Sequence, residues 1–309
     1  MQGFSNLEYH AAMETQTPAA ALATSPAADT ASAAAGQDLE HFIARHPRLF
    51  ILTGAGCSTE SGIPDYRDAA GEWKRRPPVM IRPFLDDELT RKRYWARGLA
   101  GWSHFRHAQP NGAHHALARL ERDQRIELLV TQNVDGLHQA AGSSAVIDLH
   151  GRADRIRCMG CEAILSRDQL HAQLRALNPD WVHYEAEAAP DGDADLDQLD
   201  FAAFNVPSCR HCGGTLKTDV VFFGETVPAE RVRQAMAALH RADAMLVVGS
   251  SLMVYSGYRF AQAAAAAGKP IAALNLGRTR ADALLTLKIE DRCVRALERA
   301  VRPRTSTTS

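Results

Sequence analysis

Cys158 and Cys161, and further along Cys209 and Cys212, form two C-x-x-C pairs. Each pair lets two thiolates grip one ion, and the four together complete a tetrahedron around zinc. The chain must therefore bring the second pair back onto the first, which makes the stretch between them a closed module. A redox dithiol needs one reactive pair, and disulfide scaffolds are short and dense in cysteine, so neither suits this sequence. Four sulfurs fill the coordination shell and leave no open position for a substrate or an activated water. The metal is then structural, and any chemistry lies elsewhere. The remaining thiols, Cys57 and Cys293, beside thiolate ligands fit a reducing cytoplasm.

The 309 residues are 46% hydrophobic, ample for a buried core, and carry a formal net charge of -1. Such a balance supplies no long-range field to gather nucleic acid or anionic lipid. No apolar run approaches the roughly 20 residues needed to cross a bilayer. The expected partners accordingly exclude nucleic acid and membranes. Residues 1–36 are mostly Ala, Thr, Ser, Pro and Gln without an aliphatic stripe, and read as a loose head. The first basic residue is Arg45, which disfavours a secretory or mitochondrial leader and leaves the cytoplasm as the expected location. The polar tail 303–309 reads as loose as well.

Residues 49–53 form a flat apolar run ending in Gly54-Ala55-Gly56. This is the pattern of a buried strand breaking into a tight turn before a helix. Similar runs at 126–131, 146–149, 244–248 and 271–274 lack polar alternation, as strands covered on both faces do. Helical patterns lie between them, at 114–122, 228–241 and 257–267. Alternating strands and helices predict an α/β fold, a doubly wound parallel Rossmann-like sheet with a smaller zinc-binding module inserted. The large part spans 37–154 and 218–302, and the module about 155–217, with helical parts of 69–110 joining it. A strand is expected at 219–223. The middle of the module is acidic, and Asp191, Asp193, Asp195 and Asp197 read as a solvated connector, since no glutamate closes a calcium loop.

Several segments carry chemistry. Gly54, Ala55 and Gly56 begin like a dinucleotide fingerprint, in which missing side chains let backbone amides approach a pyrophosphate at a helix start. Thr59 stands where the third glycine belongs, so taken alone the segment reads equally well as a plain turn. The same event, an apolar strand ending in small polar residues, recurs at Gly249-Ser250-Ser251 and at Asn275-Leu276-Gly277. Ligands of open α/β sheets lie beyond the carboxyl ends of the strands, so these termini point to one shared crevice.

Gln132, Asn133 and Asp135 follow another strand end, where they suit hydroxyls and a carboxamide, or else cap the next helix. His150, before Gly151, places an imidazole at the same edge, a natural general base near neutral pH. Position singles it out among 13 histidines, whereas His114 and His115 read as packing or surface residues. Asp65, Tyr66 and Arg67 occupy a proline-fixed turn; Arg67 either meets a phosphate or pairs with Asp65 or Asp68. Val221, Phe222, Phe223, Gly224 and Glu225 form an apolar segment released by glycine. It is a core strand or, if exposed, an edge that takes a peptide by β-augmentation.

In order, GAGCSTESGIPDYRD at 54–68, TQNVDGLH at 131–138, HG at 150–151, the two cysteine pairs, VVFFGE at 220–225, GSSLMVYS at 249–256 and NLG at 275–277 resemble the sirtuin family of NAD-dependent protein deacylases. The likeness runs over about 38–301, and RKRYWARGLAGW at 91–102 with LKTDVVFFGETV at 216–227 looks like the class II branch. The resemblance implies NAD as co-substrate and one structural zinc. Gly54, Ala55, Gly56, Asp65, Tyr66 and Arg67 would surround the phosphates and the nicotinamide-side ribose, with Gln132, Asn133 and Asp135 around that ribose and the nicotinamide. Gly249, Ser250, Ser251, Asn275, Leu276, Gly277 and the backbone near Cys293 would hold the adenosine end. An acyl-lysine peptide would lie along 221–225.

The implied reaction transfers the acyl group from lysine to ADP-ribose and releases nicotinamide, with Asn133 positioning the leaving group and His150 as base. No Tyr/Arg pair of the desuccinylating kind follows Trp73, which disfavours acidic acyl chains. Mono-ADP-ribosyl transfer from the same pocket and a non-catalytic zinc- and NAD-binding module are the alternatives. A zinc-ribbon nucleic-acid binder would carry a basic face, whereas this insert is acidic.

Overall fold

A computed structural model describes residues 26–74, 78–184 and 199–302, with the backbone alone for 26–35. Helix α1 (Pro26–Arg45) leads into β1 (Leu49–Thr53). Then come α2 (Ile81–Asp86), α3 (Glu88–Phe105), α4 (Gly112–Arg122), β2 (Ile126–Thr131), α5 (Leu137–Ala140) and β3 (Val146–Asp148). The insertion contains β4 (Gly151–Cys158), β5 (Ile164–Ser166), α6 (Arg167–Leu177) and β6 (Leu216–Val220). The chain closes with α7 (Ala229–Arg241), β7 (Ala244–Val248), α8 (Tyr255–Ala266), β8 (Ile271–Leu274), β9 (Leu287–Ile289) and α9 (Cys293–Ala300).

The large sheet has the order β3-β2-β1-β7-β8-β9, with every pairing parallel. Side chains alternate across it as the pleat demands. Leu49, Ile51, Leu246, Val248, Ala272 and Leu274 face a layer built from α1, α4 and α9. Phe50, Leu52, Met245, Val247, Ile271 and Ala273 face α7 and α8. All five residues of β1 are buried, which explains why this strand reads as apolar without alternation. Removing each such Leu, Ile or Phe from water contributes about 1.5–3 kcal/mol. The order reverses between β1 and β7, so the loops after these strands diverge and leave a crevice there.

A second, antiparallel sheet, β5-β4-β6, carries the cysteines. Helix α3 packs Trp95, Ala96 and Leu99 against Ile156, Leu170, Leu174, Phe204 and Leu216 of this part.

Four expectations need correction. The head is helical from Pro26 rather than loose to residue 36, because alanine is the strongest helix former and Leu39, Phe42 and Ile43 anchor the helix in the core against α9. The expected loose residues 1–25 and 303–309, and the aspartates at 191–197, lie outside the described residues. No α-helix follows Gly54; two 3-10 turns, Ala55–Cys57 and Thr59–Ser61, are stopped by Gly62 at φ 83 and then by Pro64. The strand expected at 219–223 is instead Leu216–Val220, since β6 is paired along β4 from Cys158↔Leu216 to Gly151↔Val220 and runs out where β4 begins. That ladder also crosses both expected module boundaries, so the inserted part starts at Gly151 and ends at Val220.

Candidate active site and metal centre

Cys158 ends β4, Cys161 lies in the turn after it, and Cys209 and Cys212 precede β6. The β4–β6 ladder brings them together. Sulfurs of Cys158 and Cys212 are 3.5 Å apart, those of Cys161 and Cys209 3.8 Å, and all four lie within 4.8 Å of one another. Ligands about 2.3 Å from a tetrahedral zinc would stand roughly 3.8 Å apart, so this donor set fits the ion. Backbone amides complete the cradle: Gly160 donates to Cys158 Sγ at 3.3 Å and Gly214 to Cys212 Sγ at 3.4 Å. The amides of Cys161 and Gly160 lower the Cys158 thiol, while that of Cys212, against the lowering amide of Gly214, is raised by hydrogen bonds from Cys158 and Cys161.

At the carboxyl ends of β1 and β7, two glycine turns interlock backbone on backbone. Gly54 N donates to Val248 O at 3.0 Å and Gly56 N to Gly249 O at 2.9 Å. Gly249 has φ +60, and a Cβ there would stand 2.3 Å from Cys57 N, so no side chain fits. The missing side chains therefore serve loop-on-loop packing first, because the amides of Gly54 and Gly56 are already donated within the protein.

The loop after β2 fills the floor of the crevice. Gln132 Nε2 donates to Ser250 Oγ at 2.7 Å, tying the β2 rim to the β7 rim. Asn133 is nearly buried; its Nδ2 donates to Gly54 O and to Ser58 Oγ, each at 3.0 Å. Ser58 in turn donates to Asp135 Oδ2 at 2.7 Å, and Leu137 N donates to Asp135 Oδ1 at 2.9 Å. Burial raises the Asp135 carboxyl above its ordinary range, against the lowering effect of these two donors. Asp135 thus also holds the first amide of α5, whose N-cap residue is Gly136. Sequence reading did not single out Ser58, whose only signal is a hydroxyl just past a strand end.

His150 sits beyond β3 with Nδ1 2.9 Å from Gln132 O and Nε2 2.8 Å from Ser256 Oγ. Burial pushes its imidazole down to about 4, so the ring is neutral at pH 7. His114 belongs to packing, as expected: it is fully buried and closes the capping box of α4 with Asn111.

In the turn before Trp73, Asp65 pairs with Lys74 at 2.5 Å rather than with Arg67. Arg67 donates to Gly71 O at 2.7 Å and lies 3.9 Å over the Trp73 ring. Tyr66 meets the same ring edge-on at 6.2 Å. Beyond β8, Asn275 is buried and donates to Leu276 O at 3.0 Å, while the Leu276 side chain is exposed and Gly277 turns under Ala69. Ser251 accepts from Arg280 N at 2.8 Å. The Cys293 side chain packs in the core cluster that also holds Cys57, so only its backbone is in a position to line the crevice.

The segment expected to pair with a peptide is not a free strand edge. Val221 N donates to His150 O at 2.8 Å, Phe222 N to Glu225 Oε2 at 2.6 Å, and Phe223 O accepts from Ile81 N at 2.9 Å. Phe222 is buried against Phe84 and Tyr94, and Gly224 is the exposed tip. Glu225 is held by Lys217 at 3.0 Å.

The crevice at the switch point, with an amide-rich floor, a neutral imidazole and a separate four-cysteine centre, belongs to one kind of protein. The Sir2 family model matches residues 54–256, and the chain belongs to that family. It is 63% identical over 262 residues to an NAD-dependent protein deacetylase of Xanthomonas campestris pv. campestris (strain 8004), covering 85% of this chain and 89% of that one. It is 43% identical over 258 residues to the NAD-dependent protein deacylase Sirt4 of Drosophila melanogaster, covering 82% of this chain and 83% of the relative. Among solved structures, Sir2 with a p53 peptide and NAD+ superposes with a TM-score of 0.68 at 31% identity, over 85% of this chain and 94% of the other. Sir2 bound to an acetylated peptide superposes with a TM-score of 0.68 at 29% identity, over 85% and 95%.

Proposed function

We propose that this chain is an NAD-dependent protein lysine deacylase that transfers the acyl group of a modified lysine to ADP-ribose. The observation that carries the reading is the convergence of Gln132, Asn133, Asp135 and His150 on the crevice between the Gly54 and Gly249 turns. Four cysteines hold zinc as a structural ion, because they satisfy it completely.

NAD is the co-substrate. Its dinucleotide lies along the carboxyl ends of β1, β7 and β8, with Gly54, Ala55, Gly56, Asp65, Tyr66 and Arg67 toward the phosphates and nearer ribose. Gly249, Ser250, Ser251, Asn275, Leu276, Gly277 and the Cys293 backbone hold the adenosine end. Asn133 and Asp135, fixed through Ser58, orient the nicotinamide and its glycosidic bond, so that positioning rather than proton chemistry prepares departure. The acyl oxygen of the lysine bonds to the ribose carbon as nicotinamide leaves. His150 then accepts the proton of a ribose hydroxyl while that oxygen attacks the acyl carbon; the proton passes to the departing lysine amine, and a water adds to the acyl carbon as its bond to the first ribose oxygen breaks, leaving O-acyl-ADP-ribose. The peptide enters beside Val221, Phe222, Phe223, Gly224 and Glu225, with the exposed Gly224 as its backbone contact. No Tyr/Arg pair of the desuccinylating kind follows Trp73, which favours uncharged acyl groups. No described helix is long and apolar enough to cross a membrane, and two thiols beside a set of metal-binding thiolates support a reducing, cytoplasmic setting.

Purified protein, NAD and peptides bearing acetyl, propionyl, lipoyl, long-chain and succinyl lysine, followed by mass spectrometry of the ribose product, test the reading. O-acyl-ADP-ribose and nicotinamide in equal amounts are expected. ADP-ribose attached to protein with the acyl-lysine untouched would move the assignment to ADP-ribosyl transfer.

A further inference from the structure

The carbonyl oxygen of Gln132 can only accept, so His150 Nδ1, 2.9 Å away, carries the hydrogen of the neutral ring. Nε2 is left with one in-plane lone pair, and Ser256 Oγ stands 2.8 Å from it. Ser256 must therefore be the donor. The nitrogen that should take the ribose proton is already occupied by a hydroxyl, and no ribose hydroxyl can reach that lone pair without displacing Ser256 or passing its proton through it.

Displacement is opposed by the surroundings. Ser256 is buried in the first turn of α8, and its neighbour Gly257 packs so closely on Gln132 that a Cβ would meet Oε1 at 2.5 Å. Gln132 is itself held by Ser250 and accepts from His150. Ser256, Gly257, Gln132 and His150 thus form one packed unit. The Ser256 oxygen keeps two lone pairs of its own, and a serine hydroxyl donates and accepts at once.

We propose that Ser256 relays the proton from the ribose hydroxyl to His150, so that the base is a Ser–His pair. The inference rests on the reading of His150 as base. As the ribose oxygen attacks the acyl carbon, its O–H bond breaks and the hydrogen bonds to Ser256 Oγ. The original Ser256 hydrogen moves to His150 Nε2 in the same step. Serine ends neutral, imidazole ends as imidazolium, and the same path run backward returns the proton to the departing lysine amine.

Three variants and one isotope measurement separate the outcomes. Ser256→Ala should leave NAD binding within about twofold and nicotinamide release largely intact, yet slow formation of O-acyl-ADP-ribose by roughly 100-fold, the low end of what general acid–base groups contribute. Ser256→Thr, which keeps the hydroxyl, should recover most of that loss. In mixtures of light and heavy water the wild-type transfer step should give a curved proton inventory, because two hydrogens move together, and Ser256→Ala a linear one. Transfer at full rate in Ser256→Ala, with His150→Ala inactive, would overturn the relay and leave the base standing. Full transfer in His150→Ala would overturn the base itself.

Discussion

Ser58 Oγ donates to Asp135 Oδ2 across 2.7 Å and accepts from Asn133 Nδ2 at 3.0 Å, so one hydroxyl from the turn after β1 holds both polar groups of the loop after β2. Burial raises the Asp135 carboxyl, and the Ser58 hydrogen bond works against that rise. Removing it by Ser58→Ala lets the pKa climb further, so activity that needs the carboxylate should fail at a higher pH than in the parent enzyme. With Asn133 also released, nicotinamide release at pH 7 should fall roughly tenfold, the equivalent of about one lost hydrogen bond. A pH profile of nicotinamide release that superposes on the parent's would contradict the coupling.

Acid should destabilise the fold through its buried imidazoles. Burial lowers His114 and His150 to about 4 and His138 well below its ordinary value. The unfolded chain binds those protons near pH 6.5 while the folded chain refuses them, so stability is full above about 6.5 and declines as pH falls toward 4. His114 and His150 each contribute up to roughly 3 kcal/mol of this loss. Urea midpoints at pH 7.5, 6 and 5 should decrease in that order. The acid limb of acyl transfer should lie well below 6.5, and a limb at 6.5 would show that His150 is solvated.

The cysteine centre is a structural clamp with no part in the crevice chemistry. Chelation, or Cys209→Ser, should release one zinc per chain and lower the Tm by roughly 10 °C, equivalent to about 3–4 kcal/mol for a chain of this size. Metal analysis alongside the melting curve checks both. Activity should vanish with the fold rather than before it, and loss of turnover at an unchanged Tm would point to a catalytic ion.

Helix α1 is part of the core. Phe42 is 2% exposed within the cluster that includes Leu39 and Leu297, so Phe42→Ala should cost about 3–5 kcal/mol in urea unfolding. A change below 1 kcal/mol would mean that the helix does not pack on α9.

Five of the six strands of the parallel sheet were legible, all but β9, and β1, β7 and β8 were so because they are buried on both faces and need no alternation. Strand β4 was not, for a specific reason. Its inward residues are Gly151 and Ala153 and then Ile156 and Cys158, so the period of two changes phase at the irregularity between Arg152 and Ile156. Helix α1 was hidden by alanines, which form helix readily yet display no stripe until Leu39. The metal ligands were plain from spacing alone. Gln132, Asn133, Asp135 and His150 were legible as strand-end residues, whereas Ser58 and Ser256 were not singled out. Their importance comes from residues some 75 or more positions away in the chain.

Strand β1 lies at the centre of the sheet, and its two neighbours emerge from synthesis far apart. Leu49 pairs with Ile126 on one side and with Ala244 on the other. During translation the apolar ribbon 49–53 must therefore wait, with one flank bare, until the whole cysteine module has been made. The central strand of the sheet is thus completed only by the last third of the chain, the kind of non-local pairing that slows folding.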